Sequence, residues 1–202
     1  LSTGLSNLQE VVDTVDFMRK INPVYKDKNM LALLQCTSMY PIPFSDANLN
    51  ILETYKETLG CEVGYSDHTE GSYALEIAVA KGAKILEFHF TDRREEKKFR
   101  DHKVSLTKHE VLDLIDKIKK IKLLEGDRIK KPLLIEGDHV KTFRRALYPI
   151  KDLPKGTILK DIDLIALRPN NGIDARDYQK VIGKKIKYDV SKHQKLEWKM
   201  FE

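Results

Sequence analysis

Two stretches decide how the chain is read: Glu62–Thr69, EVGYSDHT, and Ala83–Thr91, AKILEFHFT. The first holds a short strand, Glu62–Ser66, that delivers Asp67-His68-Thr69 at its C-terminal end; the second holds a strand, Ala83–Phe90, that carries His89 and ends in Thr91-Asp92. Between them Tyr73–Lys81, rich in Ala and Ile and stopped by Gly82, has the composition of a tightly packed helix. Upstream, Met30–Cys36 (MLALLQC) is a continuous apolar run that ends in Thr37-Ser38-Met39-Tyr40-Pro41. A helix predicted over Asn48–Leu59 and closed by Gly60 joins it to the next strand. Further upstream, Ser6–Gln9 reads as a capping box heading a helix with Leu8, Val11, Val12, Val15 and Met18 on one face. Downstream, Thr107–Glu110 is a second box, followed by Val111, Leu114, Ile115, Ile118 and Ile121 at helical spacing. Strands alternating with helices in this way predict an α/β fold around a parallel sheet.

Leu1-Ser2-Thr3-Gly4 resembles the end of a strand running into a turn. In a TIM (β/α)8 barrel of about 250 residues, three and a fraction strand–helix units make the second half, so roughly four strands are expected to precede this chain. The barrel portion is assigned to 1–124. The segment 125–142, with GDRIKKP and a polar EGDH, breaks the pattern and reads as a linker. Over 143–202 the texture changes to short β-like runs at Ala146–Pro149, Thr157–Leu159 and Leu164–Arg168, with helical turns near Asp161 and Tyr178. A small, mostly β domain of that size is near the lower limit for folding alone and is expected to lean on a partner surface.

Composition limits the function classes. The 202 residues are 41% hydrophobic and 33% charged, which suits folded domains rather than a disordered tail or a fibre. No run approaches a membrane span and no leader pattern is present, so the expected location is the cytoplasm and no membrane partner is expected. Cys36 and Cys61 imply no disulfide framework. The net charge of +5 raises nucleic acid as a partner, but 36 basic and 31 acidic residues interleave and the aromatics form no stacking series, so none is expected.

In a parallel barrel, chemistry sits at the C-terminal ends of the strands. That rule selects Ser2 and Thr3; Thr37, Ser38 and Tyr40; Ser66, Asp67 and His68; and Glu87, His89, Thr91 and Asp92. Imidazole is a common ligand of Mn, Fe, Co or Zn, and two histidines at neighbouring strand ends can share one ion with positions left for water and substrate. Glu87 lies on the same side of its strand as His89 and is placed to orient a bound water. The blander reading makes both histidines hydrogen-bonded structural residues and Ser2, Ser38 and Ser66 turn formers. His102, His109, His139 and His193 are read as loop or surface residues.

Together with RDHKVSL at 100–106, the segments LSTG at 1–4, CTSMYP at 36–41, VGYSDHT at 63–69 and EFHFT at 87–91 resemble, in order, the later barrel motifs of the N-acetylneuraminate (sialic acid) synthase family. LRPNNGI at 167–173 and VIGKK at 181–185 resemble its C-terminal antifreeze-like (SAF) module. The resemblance covers essentially the whole chain. It implies condensation of phosphoenolpyruvate with an N-acetylmannosamine-like amino sugar, an N-acetylhexosamine-type acceptor, giving a nonulosonic acid and phosphate. It implies a divalent metal, Mn2+ first with Mg2+ or Co2+ as alternatives, on His68 and His89. Ser2 and Ser66 match phosphate contacts, Tyr40 a residue near both substrates, and Asp101 a contact to sugar hydroxyls. Arg168 matches an arginine that one subunit inserts into the other's site, which implies a homodimer with swapped SAF domains. Glu87, Tyr40 and Asp101 are the expected catalytic side chains; Ser2, Ser38, Tyr40, Ser66, Asp101 and Arg168 the expected substrate contacts. Ser38 and Phe99-Arg100-Asp101 stand where many members have Asn and Gly-Pro-Asp, which leaves the acceptor sugar open. The family's phosphoenolpyruvate-binding lysines fall upstream of Ser2. The competing reading is a carbohydrate-binding or assembly module without chemistry.

Overall fold

Asn7, not Ser6, caps the first helix, α1 (Leu8–Ile21): its side-chain oxygen accepts from the Glu10 N–H at 3.0 Å, and the Glu10 carboxylate accepts from the Asn7 N–H at 2.8 Å. The expected box at Ser6–Gln9 is one residue early. Both registers fit the pattern, but Glu10 places a full negative charge at the helix N-terminus where Gln9 offers a neutral amide. Val11 and Val15 are buried as expected, while Leu8 is left 42% exposed.

The computed structural model describes every residue from Leu1 to Glu202. The chain forms two units, Leu1–Arg128 and Ile129–Glu202. After α1 the first unit runs β1 (Ala32–Cys36), α2 (Ile51–Leu59), β2 (Glu62–Asp67), α3 (Tyr73–Ala80), β3 (Ile85–Phe88), α4 (Asp101–Val104) and α5 (Lys108–Glu125). Several elements are shorter than predicted. Met30 stays outside β1, and α2 begins only at Ile51, because Asn48 adopts a left-handed φ of 49° that no helix accommodates. Along α5 Leu114 is buried and Val111 and Ile118 pack against the core, but Ile115 is exposed.

β1 pairs with β2 and β2 with β3, all parallel and in chain order. Single parallel bridges, Ser2 to Leu34 and Phe90 to Leu106, continue the series at both edges. A sheet that always advances to the next neighbour lacks the reversal of a doubly wound fold. One face carries Leu33, Val63 and Tyr65 into a core with Val15, Leu52 and Leu75 from the helices. The other face sets Leu34, Gly64 and Ile85 in one row and Cys36, Ser66 and Glu87 in the next. A Cβ on Gly64 would lie 2.5 Å from the Ile85 carbonyl oxygen, so only glycine lets β3 approach there.

The second unit holds α6 (His139–Phe143), the antiparallel pair β4 (Ala146–Pro149) and β5 (Leu164–Leu167), and α7 (Tyr178–Val181). Its core is built from Leu147, Leu153, Leu159, Ile186 and Leu196. The strand predicted at Thr157–Leu159 reduces to one bridge, Ile158 to Lys185. Gly156 and Gly183, at φ of 87° and 82°, turn the chain before a ladder extends. The segment read as a linker contains a 3-10 turn at Leu134–Glu136 and most of α6. No helix of the chain is long and apolar enough to cross a membrane.

Candidate metal centre

His68 follows β2 directly and His89 follows β3 directly, so parallel pairing sets the two side by side, with ring centres 5.3 Å apart. His68 is 4% exposed, and its Nδ1 lies 2.8 Å from the Thr37 carbonyl oxygen. A carbonyl only accepts, so Nδ1 carries the proton and Nε2 keeps its lone pair. The backbone is tied as well: the Ile42 N–H donates to the His68 carbonyl at 3.0 Å, joining the loops after β1 and β2.

His89 is held differently. Its carbonyl accepts from the Leu106 N–H at 2.7 Å, and its Nδ1 faces Asp101 Oδ2 at 3.6 Å, an ion-pair distance longer than a hydrogen bond. Its side chain is about a third exposed. Asp101 reaches this place from α4, at the end of a loop anchored by Arg94, which donates from Nη2 to Glu110 at 2.6 Å and from Nε to the Ser105 carbonyl at 3.1 Å.

Tyr40 covers the pair, its ring centre 4.0 Å from His68 and 5.4 Å from His89. Arg100 lies over Tyr40, with Cζ 4.8 Å from the ring centre, and its Nε is 3.5 Å from Asp101 Oδ1. Tyr40, His68, His89, Asp101 and Arg100 therefore close a ring of neighbours. Below it on the same face, Ser66 Oγ donates to Glu87 Oε1 at 2.9 Å.

On the helix side of β2, the Asp67 carboxylate accepts from the Thr69 N–H at 2.8 Å and from its hydroxyl at 3.1 Å. Burial nonetheless pushes the Asp67 carboxyl above the usual carboxylate range. Burial first, then the Asp67 charge, push the Tyr65 phenol far above its ordinary value, although no hydrogen bond of proper geometry reaches that hydroxyl.

The donor set fits a borderline divalent ion. Each Nδ1 is turned to an oxygen, which leaves the Nε2 atoms as donors, and two imidazoles on one ion at about 2.1 Å stand with centres about 5 Å apart. No group of three or more His, Cys, Asp or Glu side chains suited to a metal forms, so His68 and His89 stand as a pair.

The structure thus gathers four of the predicted site residues, Tyr40, His68, His89 and Asp101, and pairs two more, Ser66 with Glu87. Ser2 sits exposed at the sheet edge beside Leu34. Ser38 lines a separate cleft with Thr3, Asn48 and Tyr55, close against Gly4. Arg168 belongs to the second unit, where its guanidinium lies 5.6 Å from the Phe143 ring centre. His102 stays outside the ring, its Nδ1 at 3.0 Å from the Thr91 hydroxyl. Sequence reasoning missed Arg100, and the signal was its place beside Asp101, where the family resemblance breaks.

A family model described as NeuB family matches residues 1–130, and one described as SAF domain matches 144–202. The N,N'-diacetyllegionaminic acid synthase of Campylobacter jejuni subsp. jejuni is 38% identical over 185 residues, covering 91% of this chain and 54% of the relative. The enzyme of that name from Legionella pneumophila subsp. pneumophila is 33% identical, covering 100% and 56%. The solved N-acetylneuraminic acid (sialic acid) synthetase of Leptospira borgpetersenii serovar Hardjo-bovis, in complex with citrate, superposes with a TM-score of 0.60 at 31% identity, over 69% of this chain and 47% of that one. The chain spans about half the length of the curated relatives it matches.

Proposed function

Because the chain belongs to the NeuB family, we propose that its protein is a nonulosonic acid synthase, joining C3 of phosphoenolpyruvate to the aldehyde carbon of an N-acetylmannosamine-like sugar, adding one water at C2 and releasing phosphate. The observation that carries this reading is the imidazole pair at neighbouring parallel strand ends, with each Nδ1 facing an oxygen. His68 and His89 hold the divalent ion, Mn2+ first with Mg2+ or Co2+ as alternatives. When bound, it supplies Lewis acidity toward the aldehyde oxygen. The Thr37 carbonyl and Asp101 fix the two rings, and Tyr40 shields them from water. Asp101 accepts from acceptor hydroxyls, Ser2, Ser38 and Ser66 bind substrate oxygens, and Glu87 positions a water.

The parallel strands in chain order are the second half of a closed (β/α)8 barrel in this reading, with the SAF domain of one subunit of a homodimer delivering Arg168 to the partner's site. The test is phosphate release from phosphoenolpyruvate by the full-length protein, dependent on a divalent cation and on an added N-acetylhexosamine. Release is expected to vanish in His68→Ala and His89→Ala. No release across a panel of neutral and phosphorylated N-acetylhexosamines overturns the proposal and favours a binding module. Mixing Arg168→Ala with His68→Ala subunits should restore part of the activity, and failure in verified mixed dimers removes the swap.

A further inference from the structure

Arg100 closes the ring around the imidazole pair, yet the reaction outlined above gives it no task. Its position is defined on two sides, by the Tyr40 face beneath Cζ and by Asp101 beside Nε. Its two Nη groups take part in no hydrogen bond or ion pair within the chain, and the side chain is 66% exposed. The neighbouring arginines are committed elsewhere, Arg93 to Glu96 and Arg94 to Glu110. Asp101 meets Arg100 at 3.5 Å while also facing His89, so its charge is shared between two groups. What remains is a permanently charged fork of donors, held by stacking on the Tyr40 ring that covers the imidazole pair. A planar guanidinium in that state matches the paired oxygens of a carboxylate or phosphate. With a divalent ion on the histidines the ring carries net positive charge, which further favours an anionic group.

We infer that Arg100 is an oxyanion-binding residue of this site, taking a carboxylate or phosphate oxygen pair of a substrate on its Nη groups. The inference rests on the synthase reading for the identity of that substrate: the oxyanion belongs either to phosphoenolpyruvate or to an anionic substituent of the acceptor sugar.

The experiment uses the full-length protein and its Arg100→Ala and Arg100→Lys variants. Calorimetry measures binding of Mn2+, inorganic phosphate and phosphoenolpyruvate, and steady-state phosphate release measures KM for phosphoenolpyruvate, for a neutral N-acetylhexosamine and for its 6-phosphate. Arg100→Ala is expected to weaken one anionic ligand about ten- to a hundredfold, the scale of a lost charge-assisted hydrogen bond. Arg100→Lys should recover part of that, and Mn2+ affinity should stay within about twofold, because neither imidazole contacts the arginine directly. A KM effect on phosphoenolpyruvate names it as the source; an effect confined to the phosphorylated sugar names the acceptor. Anion affinities and KM values that stay at parent level in Arg100→Ala overturn the inference, as does a parent that binds none of these anions. A parent that binds anion through Arg100 but releases no phosphate overturns the synthase reading alone.

Discussion

The two histidines of the site are anchored by different kinds of structure. His68 sits at the end of a strand that is buried along nearly its whole length, and its ring is oriented by a main-chain carbonyl. His89 sits at the end of a strand with two exposed residues, and its ring is oriented by a side chain delivered from a charged loop. One half of the site is therefore a consequence of the sheet itself, and the other depends on how the 92–106 segment is held. The difference teaches where substitutions can reach. The His68 support cannot be mutated away by changing any side chain it bonds, whereas the His89 support can.

The largest effect comes from attacking the sheet. Gly64→Ala forces a Cβ into the Ile85 carbonyl and the Leu34 side chain. It should cost about 3 kcal/mol in chemical denaturation, the upper range for overpacking. A loss below about 1 kcal/mol would show that β3 yields easily and that the buried half is less rigid than described. Next, Asp101→Asn should weaken Mn2+ binding about ten- to a hundredfold, the usual cost of removing a group that orients a ligating histidine. Thr37→Val, which keeps the carbonyl, should stay within about twofold of the parent. Equal losses at the two positions would erase the contrast.

A smaller change of opposite sign is expected on the far face of β2. The Tyr65 hydroxyl is buried without a hydrogen bond, so Tyr65→Phe should raise stability by about 1 kcal/mol. The phenol is pushed far above its ordinary value and stays protonated near neutrality, so its own titration adds no pH dependence to this gain. The smallest effect is Arg94→Ala. Its pair with Glu110 is about one third exposed on each side, which limits the loss to about 1 kcal/mol or less. Hydrogen exchange should nevertheless quicken across the loop while β2 keeps its protection.

The same contrast explains what was legible in the sequence. Periodicity and strand-end position found the parallel α/β order and put His68 and His89 together, because both follow from where apolar runs stop. The capping register slipped by one residue because Ser6–Gln9 and Asn7–Glu10 satisfy the same pattern, and only the stronger Glu10 acceptor separates them. Ile115 falls on the predicted apolar stripe of α5 yet is exposed, since spacing names a face but not how far packing extends around it. Arg100 was marked in the sequence only by its place beside Asp101, because its position is set by Tyr40, which lies sixty positions earlier in the chain and on another loop. The helical turns inside 125–142 were hidden by polar composition, which reads as loop whenever a turn is too short to show a period.

The anchoring of the 92–106 segment has a further meaning for how such a protein diversifies. Arg94 ties it to Glu110 and Ser105, Lys97 ties it to Asp92, and Leu106 fixes its far end to the His89 carbonyl. It is a self-bracing cassette mounted at the C-terminal end of β3. Its interior residues, Phe99 and Arg100 among them, can be exchanged while the strand ends beneath keep His68 and His89 in place.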